Sequence, residues 1–173
     1  MKIYAAILLI PLLLLPACIS QLAEETPIEE EQATSPISIE DLEIVTGQVI
    51  YIPAYSEVFY NDRNTLDLTI TLAIHNTDLE HPIIIKSVRY YDTHGNLVEE
   101  YVDQARQLDP IATASIVLAG DNTRGGVGAN FIVEWVAETG VYEPVVEAIM
   151  INTSGQQGIS LLSPGRVISQ TPQ

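Results

Sequence analysis

From Gly47 onward the chain alternates apolar and polar positions with a period of two, the mark of strands that bury one face. Val49, Tyr51 and Pro53 interleave with Ile50 and Ile52, and a second short run covers Tyr55 to Tyr60. The clearest stretch sets Leu66, Leu68, Ile70, Leu72 and Ile74 on one face and Asp67, Thr69, Thr71, Ala73 and His75 on the other. It predicts a strand with one core face and one wet face. Asn76 to Pro82 is turn chemistry, and Ile83 to Tyr91 resumes with β-branched residues on both faces, which predicts a central strand. The segment Asp92-Thr93-His94-Gly95-Asn96 closes a hairpin in which Gly95 supplies the positive φ, and Leu97 to Val102 returns.

Pro110 precedes another short strand, Thr113 to Leu118. Three glycines in Gly125-Gly126-Val127-Gly128 then give way to Phe131–Val136, which includes Trp135, the sole tryptophan of the chain. Strands at Val145–Ile151 and, more weakly, Gly158–Leu162 follow, and Pro164-Gly165 leads to a polar end. The total is about eight or nine short strands with no amphipathic helix longer than two turns. The pattern predicts an all-β domain, a two-sheet antiparallel sandwich that is Ig-like in the broad sense, with a small closed barrel as the alternative. Phe131, Val133 and Trp135 are expected to fill the interior, and the strand at 131–136 to pair with the one at 145–151.

The part before Gly47 has a different character. Lys2 precedes an apolar run from Ile3 to Leu15, too short to span a bilayer comfortably, and Leu15-Pro16-Ala17-Cys18 follows. A small residue before a cysteine at this distance resembles the lipobox of prokaryotic lipoproteins, which implies a signal peptide over 1–17, cleavage before Cys18 and lipidation of its thiol. Cys18 is the only cysteine, so no disulfide staples the mature domain. Between Cys18 and Thr46 lie Glu24, Glu25, Glu29, Glu30, Glu31, Glu40, Asp41 and Glu43, with no Lys or Arg. Residues 18–46 therefore read as the lipidated cysteine and an acidic, disordered tether with a reach of roughly 30 Å. The expected division continues with a sandwich over 47–168 and a flexible tail over 169–173.

The whole chain of 173 residues has 23 acids against 7 bases, a formal charge of -16. No cationic stripe exists to draw a phosphate backbone, so nucleic acid is excluded as a partner. The expected partners are the membrane, through lipid on Cys18, and a protein of the envelope.

Several words, GQVIYIPAYSEVF, LTITLAIHNTD, IKSVRYYDTHGNLVEEY, the segment from Leu108 to Thr113, and GGVGANFIVEW followed by PVVEAIM, together resemble an uncharacterised family of exported bacterial proteins, a domain of unknown function. The resemblance spans about Gly47 to Ile168. It implies an extracytoplasmic single-domain protein and carries no activity or site residue with it.

Candidate chemistry is sparse. A glycine-rich loop cradles phosphate when it leads from a strand into a helix. Here it leads into a strand, so its glycines are read as geometric. Asp121-Asn122-Thr123 offers oxygens to calcium without the EF-type ladder. His75, His81 and His94 fall at strand ends and turns; Asp78 and Glu80 lie between the first two, yet no known metal-ligand spacing is met.

Glu134 and Glu147 are the sharper pair, since each shares a strand face with apolar residues. If their strands are neighbours, the two carboxylates approach each other and need compensation. Arg89 or Arg124, a metal, or a raised pKa suited to acid–base work would each supply it, while plain solvent exposure makes it unnecessary. Paired carboxylates run glycoside hydrolysis at defined separations, and a metal- or carboxylate-dependent hydrolase is the enzymatic alternative. Tyrosines are abundant, and the adjacent Tyr90 and Tyr91 must face opposite ways, which makes them candidates for an interaction face. No nucleophile motif and no cofactor signature occurs. The reading favours a non-enzymatic, lipid-anchored binding or structural module of the cell envelope.

Overall fold

In a computed structural model of the protein, residues 34–40, 42–154 and 157–171 are described. The strands in chain order are β1 (Thr34–Pro36), β2 (Thr46–Pro53), β3 (Glu57–Phe59), β4 (Thr65–Asp67), β5 (Thr69–His75) and β6 (Ile83–Tyr91). They continue with β7 (Leu97–Val102), β8 (Arg106–Leu108), β9 (Thr113–Leu118), β10 (Asn130–Ala137), β11 (Val145–Asn152), β12 (Ile159–Pro164) and β13 (Arg166–Gln170). A single 3₁₀ segment, Thr123–Gly128, interrupts this series among the described residues.

Two antiparallel sheets face each other. One runs β1-β8-β6-β10-β2-β13, with β7 also paired to β6; the other runs β12-β11-β5-β9. Neither closes on itself, so the fold is a sandwich and the barrel alternative falls. A small hairpin, β3–β4, stands apart.

Alternation decides what is inside. From the larger sheet Ile50, Ile52, Ile83, Ile85, Val88, Tyr90, Phe131, Val133 and Trp135 point inward; from the smaller, Ile70, Leu72, Ile74, Val146, Ala148 and Met150 meet them. Phe131, Val133 and Trp135 fill the interior as expected. Tyr90 lies with its ring centroid 4.7 Å from that of Phe131. The buried Trp135 Nε1–H is answered by Gln48 Oε1 at 3.3 Å, and Gln48 Nε2 in turn donates to Glu143 at 2.6 Å.

Three expectations are corrected. The strand of Glu134 and that of Glu147 are not partners: β10 sits between β6 and β2, and β11 sits between β5 and β12. Residues 138–144 carry the chain from one sheet to the other, because two long apolar strands already occupy both edges of β10. The expected tether also ends early. Residues 1–33, read from the sequence as signal peptide and tether, lie outside the described residues, but from Thr34 the chain is part of the fold. β1 pairs with β8, and Ile37, Ile39, Leu42 and Ile44 pack on Ile84, Ala105 and Val136, on the outer face of the larger sheet. The acids Glu40 and Glu43 masked this apolar spacing. At the other end, Ser169 and Gln170, assigned to a flexible tail, pair with β2.

The crossing from β12 in one sheet to β13 in the other is made at Gly165. Its N–H donates to Val146 O at 2.7 Å. A Cβ there would stand 2.7 Å from that same oxygen and 2.6 Å from Ile50 Cγ2. Gly165→Ala is expected to destabilise the protein by about 1–3 kcal/mol, the usual cost of overpacking a site that cannot relax, as read from the midpoint of urea unfolding; an unchanged midpoint would show that the corner yields freely.

Candidate functional site

The residues picked out in the sequence do not converge. Glu134, half-buried on the outer face of the larger sheet, is compensated by Lys86, whose Nζ donates to Glu134 Oε1 at 2.6 Å. The pair arises at a β-bulge: the register slips between Glu134 and Trp135 so that Lys86 and Ser87 together oppose one residue. Arg124 binds Glu99 instead, and the Arg89 Nε is buried with no partner. Glu147 projects from the outer face of the smaller sheet, between Ala73 and Pro164. The two carboxylates therefore lie on opposite sides of the sandwich, and the paired-carboxylate reading has no geometry behind it.

Tyr90 is a core residue whose hydroxyl is pushed up from its ordinary pKa by burial, so it offers no interaction face. Tyr91, half-exposed, points the other way as alternation requires. The glycine-rich segment is spoken for from within. Gly126 N–H donates to Ser56 Oγ at 2.8 Å and Gly128 N–H to Thr93 Oγ1 at 2.9 Å, and a Cβ on Gly125 would fall 2.0 Å from the Tyr90 hydroxyl. Asn122 accepts from Arg124 Nε at 3.0 Å. His75 Nδ1 pairs with Thr113 Oγ1 at 2.9 Å while His81 turns to Asp78, so the two histidines share no site. No group of three metal-ligating side chains occurs among the described residues.

One polar knot was missed. Three connections meet at one end of the sandwich: 76–82 between β5 and β6, 109–112 between β8 and β9, and 138–144 between β10 and β11. Asn76 and Asp78 begin it with side-chain turns onto their own backbone: Asn76 Oδ1 accepts from Asp78 N at 3.0 Å, and Asp78 Oδ1 from Glu80 N and His81 N, both at 2.9 Å. The Asn76 amide then donates to Asp109 O at 3.0 Å and His81 O at 2.9 Å. Asp78 reaches the remaining connections. Its carbonyl accepts from Ile111 N at 3.2 Å and its Oδ2 from Tyr142 N at 3.1 Å. Thr77 Oγ1 adds a bond to Glu143 O at 2.8 Å.

An open groove of about 530 Å³ lies over this knot, lined by Asp78, Leu79, Glu80, His81, Gly140, Val141 and Tyr142. Around it large apolar side chains stand in solvent: Leu79 is 75% exposed, Tyr142 72% and Ile111 59%. Ile111 also holds a φ of 61°, a left-handed conformation that a β-branched residue rarely adopts. The one legible hint was the spacing Asn76-x-Asp78 ahead of Pro82, an Asx-turn signature.

On the outer face of the smaller sheet, Leu162, Ile149, Thr71 and Val117 form one cross-strand row, with Ile151 in the next row on one side and Val145 two rows away on the other. Val117, Val145, Ile149, Ile151 and Leu162 are all exposed, and Glu147, in the row between those of Ile149 and Val145, is the only Asp, Glu, Lys or Arg in these four rows among the described residues.

The chain belongs to the family described as a protein of unknown function (DUF3124), whose profile matches residues 47–168. Among solved structures it is similar to the crystal structure of Thermotoga maritima 1070, at 13% identity over 69% of this chain and 92% of that one, with a TM-score of 0.41. No curated protein matches it.

The knot has a measurable acid limit. The N–H groups of Glu80 and His81, then that of Tyr142, hold the Asp78 carboxyl down at about 2 from an ordinary 3.8, against the opposing effect of burial. A carboxyl depressed in the folded state stabilises above its unfolded value and loses that contribution as pH falls through the folded one. Asp78→Asn, whose amide nitrogen cannot accept from Tyr142 N–H, is expected to be less stable than the native protein at neutral pH. The difference should shrink as pH drops from 3.8 to about 2. Urea unfolding across that range checks it; a difference independent of pH would show that the charge of Asp78 is irrelevant to the knot.

Proposed function

Since membership of that family assigns no activity, we propose from the residues themselves that the protein is an exported, lipid-anchored β-sandwich that works as a non-catalytic binding module of the cell envelope. The observation that carries this reading is the outer face of the smaller sheet. In a chain with 23 acids, a sheet face with five exposed aliphatic residues and the single charge of Glu147 is not a surface built only for water. Charge depletion around an apolar centre is the composition of protein–protein contact patches. Tyr90, buried, is withdrawn from this role, and Tyr91 lies on the other sheet.

Anchoring rests on the Leu15-Pro16-Ala17-Cys18 word. Diacylation would supply the two chains that stable membrane attachment needs. The sixteen positions from Cys18 to Thr34, where the described residues begin, span at most about 55 Å when fully extended. The domain would thus work close to the bilayer that holds it, within reach of other envelope proteins.

Replacing Cys18 with Ser is expected to move the protein from the membrane to the soluble fraction on cell fractionation; continued membrane retention would refute lipid anchoring. For the binding face, a photo-crosslinking residue at Ile149 is expected to give a discrete adduct in intact cells, whereas one at Tyr91 on the opposite sheet does not. Equal adducts at both positions, or none at Ile149, would remove this face as the docking surface, and an adduct of twice the chain mass would identify the partner as a second copy.

A further inference from the structure

We propose that the loop end of the sandwich knotted by Asp78 rests on the bilayer interface, with Leu79, Ile111 and Tyr142 as its three points of insertion; this rests on the anchoring reading above. Where the chain enters the fold carries the argument. β1 runs antiparallel to β8 and pairs Thr34 with Leu108, at the end where β8 leads into Asp109 to Ala112. The segment that comes from Cys18 therefore joins the domain at the end that bears the three exposed apolar tips, not at the end of the β6–β7 hairpin. The attachment point of the tether thus lies at this end, which favours its approach to the membrane over that of the β6–β7 hairpin.

The tips suit an interface. Leu79, Ile111 and Tyr142 are exposed at 75%, 59% and 72%, and each comes from a different connection. All three are set by one residue: Leu79 follows Asp78 in the chain, and Asp78 accepts the N–H of Ile111 and of Tyr142. A tyrosine beside aliphatic tips is the composition found at the headgroup level of membranes. The knot costs the protein a left-handed isoleucine at position 111, a conformation kept only where the surroundings over-determine it. A polar or glycine residue would sit there without strain, so the apolar side chain at that place is unexplained by the fold alone.

The charge of this end selects the lipid. The segments 76–82, 109–112 and 138–144 contain Asp78, Glu80, Asp109, Glu138 and Glu143 and no Lys or Arg. An anionic surface would repel them, whereas the ammonium groups of zwitterionic headgroups would meet them.

The test uses the full lipidated protein in phosphatidylethanolamine–phosphatidylcholine vesicles that contain a lipid-borne quencher. The Cys18 thiol is consumed by lipid, so Leu79→Cys, Ile111→Cys, Tyr142→Cys and, as the far-end control, His94→Cys each take one environment-sensitive fluorophore. Loss of fluorescence at positions 79, 111 and 142, with none at 94, is the expected result. A protein that floats with the vesicles but shows no more quenching at these three positions than at 94 overturns the inference and leaves anchoring intact. A protein that does not float overturns the anchoring reading and this inference with it.

Discussion

A carboxylate withdrawn from water must find donors inside the protein or not be withdrawn at all. Asp78 meets that demand with the backbone of two separate connections, and its own carbonyl ties in a third. Glu80 and His81 satisfy one oxygen, Tyr142 the other, and the carbonyl of the same residue takes Ile111. The crossover at 138–144 is thereby pinned to the one at 76–82, each of which carries the chain between the two sheets. Trp135, Gln48 and Glu143 extend the polar chain from the core to that crossover. A domain without a disulfide is closed at this end by hydrogen bonds to a buried charge.

Strands that bury one whole face announce themselves, and those that do not stay silent. β5 was legible because Leu68, Ile70, Leu72 and Ile74 are all inside, and β9 and β7 because turn residues bracket them. β13 was not, since every one of its residues is exposed and it is held only by the edge of β2. β1 and β8 have three residues each, too few for any period to show. Pairing was harder still. That Glu134 meets Lys86 depends on a bulge and on β6 lying next to β10, and nothing local to either residue states it. The Asp78 knot is likewise a meeting of loops far apart in the chain, of which only the first Asx turn leaves a trace.

The two apolar surfaces differ in kind. The outer face of the smaller sheet is flat, aliphatic and set on regular strands. The loop end is made of separate tips held out from turns, with carboxylates between them. A rigid sheet face suits a shaped protein surface, and protruding tips suit a soft boundary that admits them singly. One domain presents both, roughly at right angles, since one lies on the side of the sandwich and the other at its end.

The short entry strand has a mechanical meaning. β1 leaves the loop end antiparallel to β8, and tension applied to Thr34 away from that end runs along the strand. It therefore loads the register pairs Thr34–Leu108, Ser35–Gln107 and Pro36–Arg106 together, in shear, instead of peeling them one by one. Behind them the apolar strap from Ile37 to Ile44 would have to be dragged off Ile84 and Val136 before the force reached β2. Residues 34–44 act as a strain relief between a pulled chain and the sandwich.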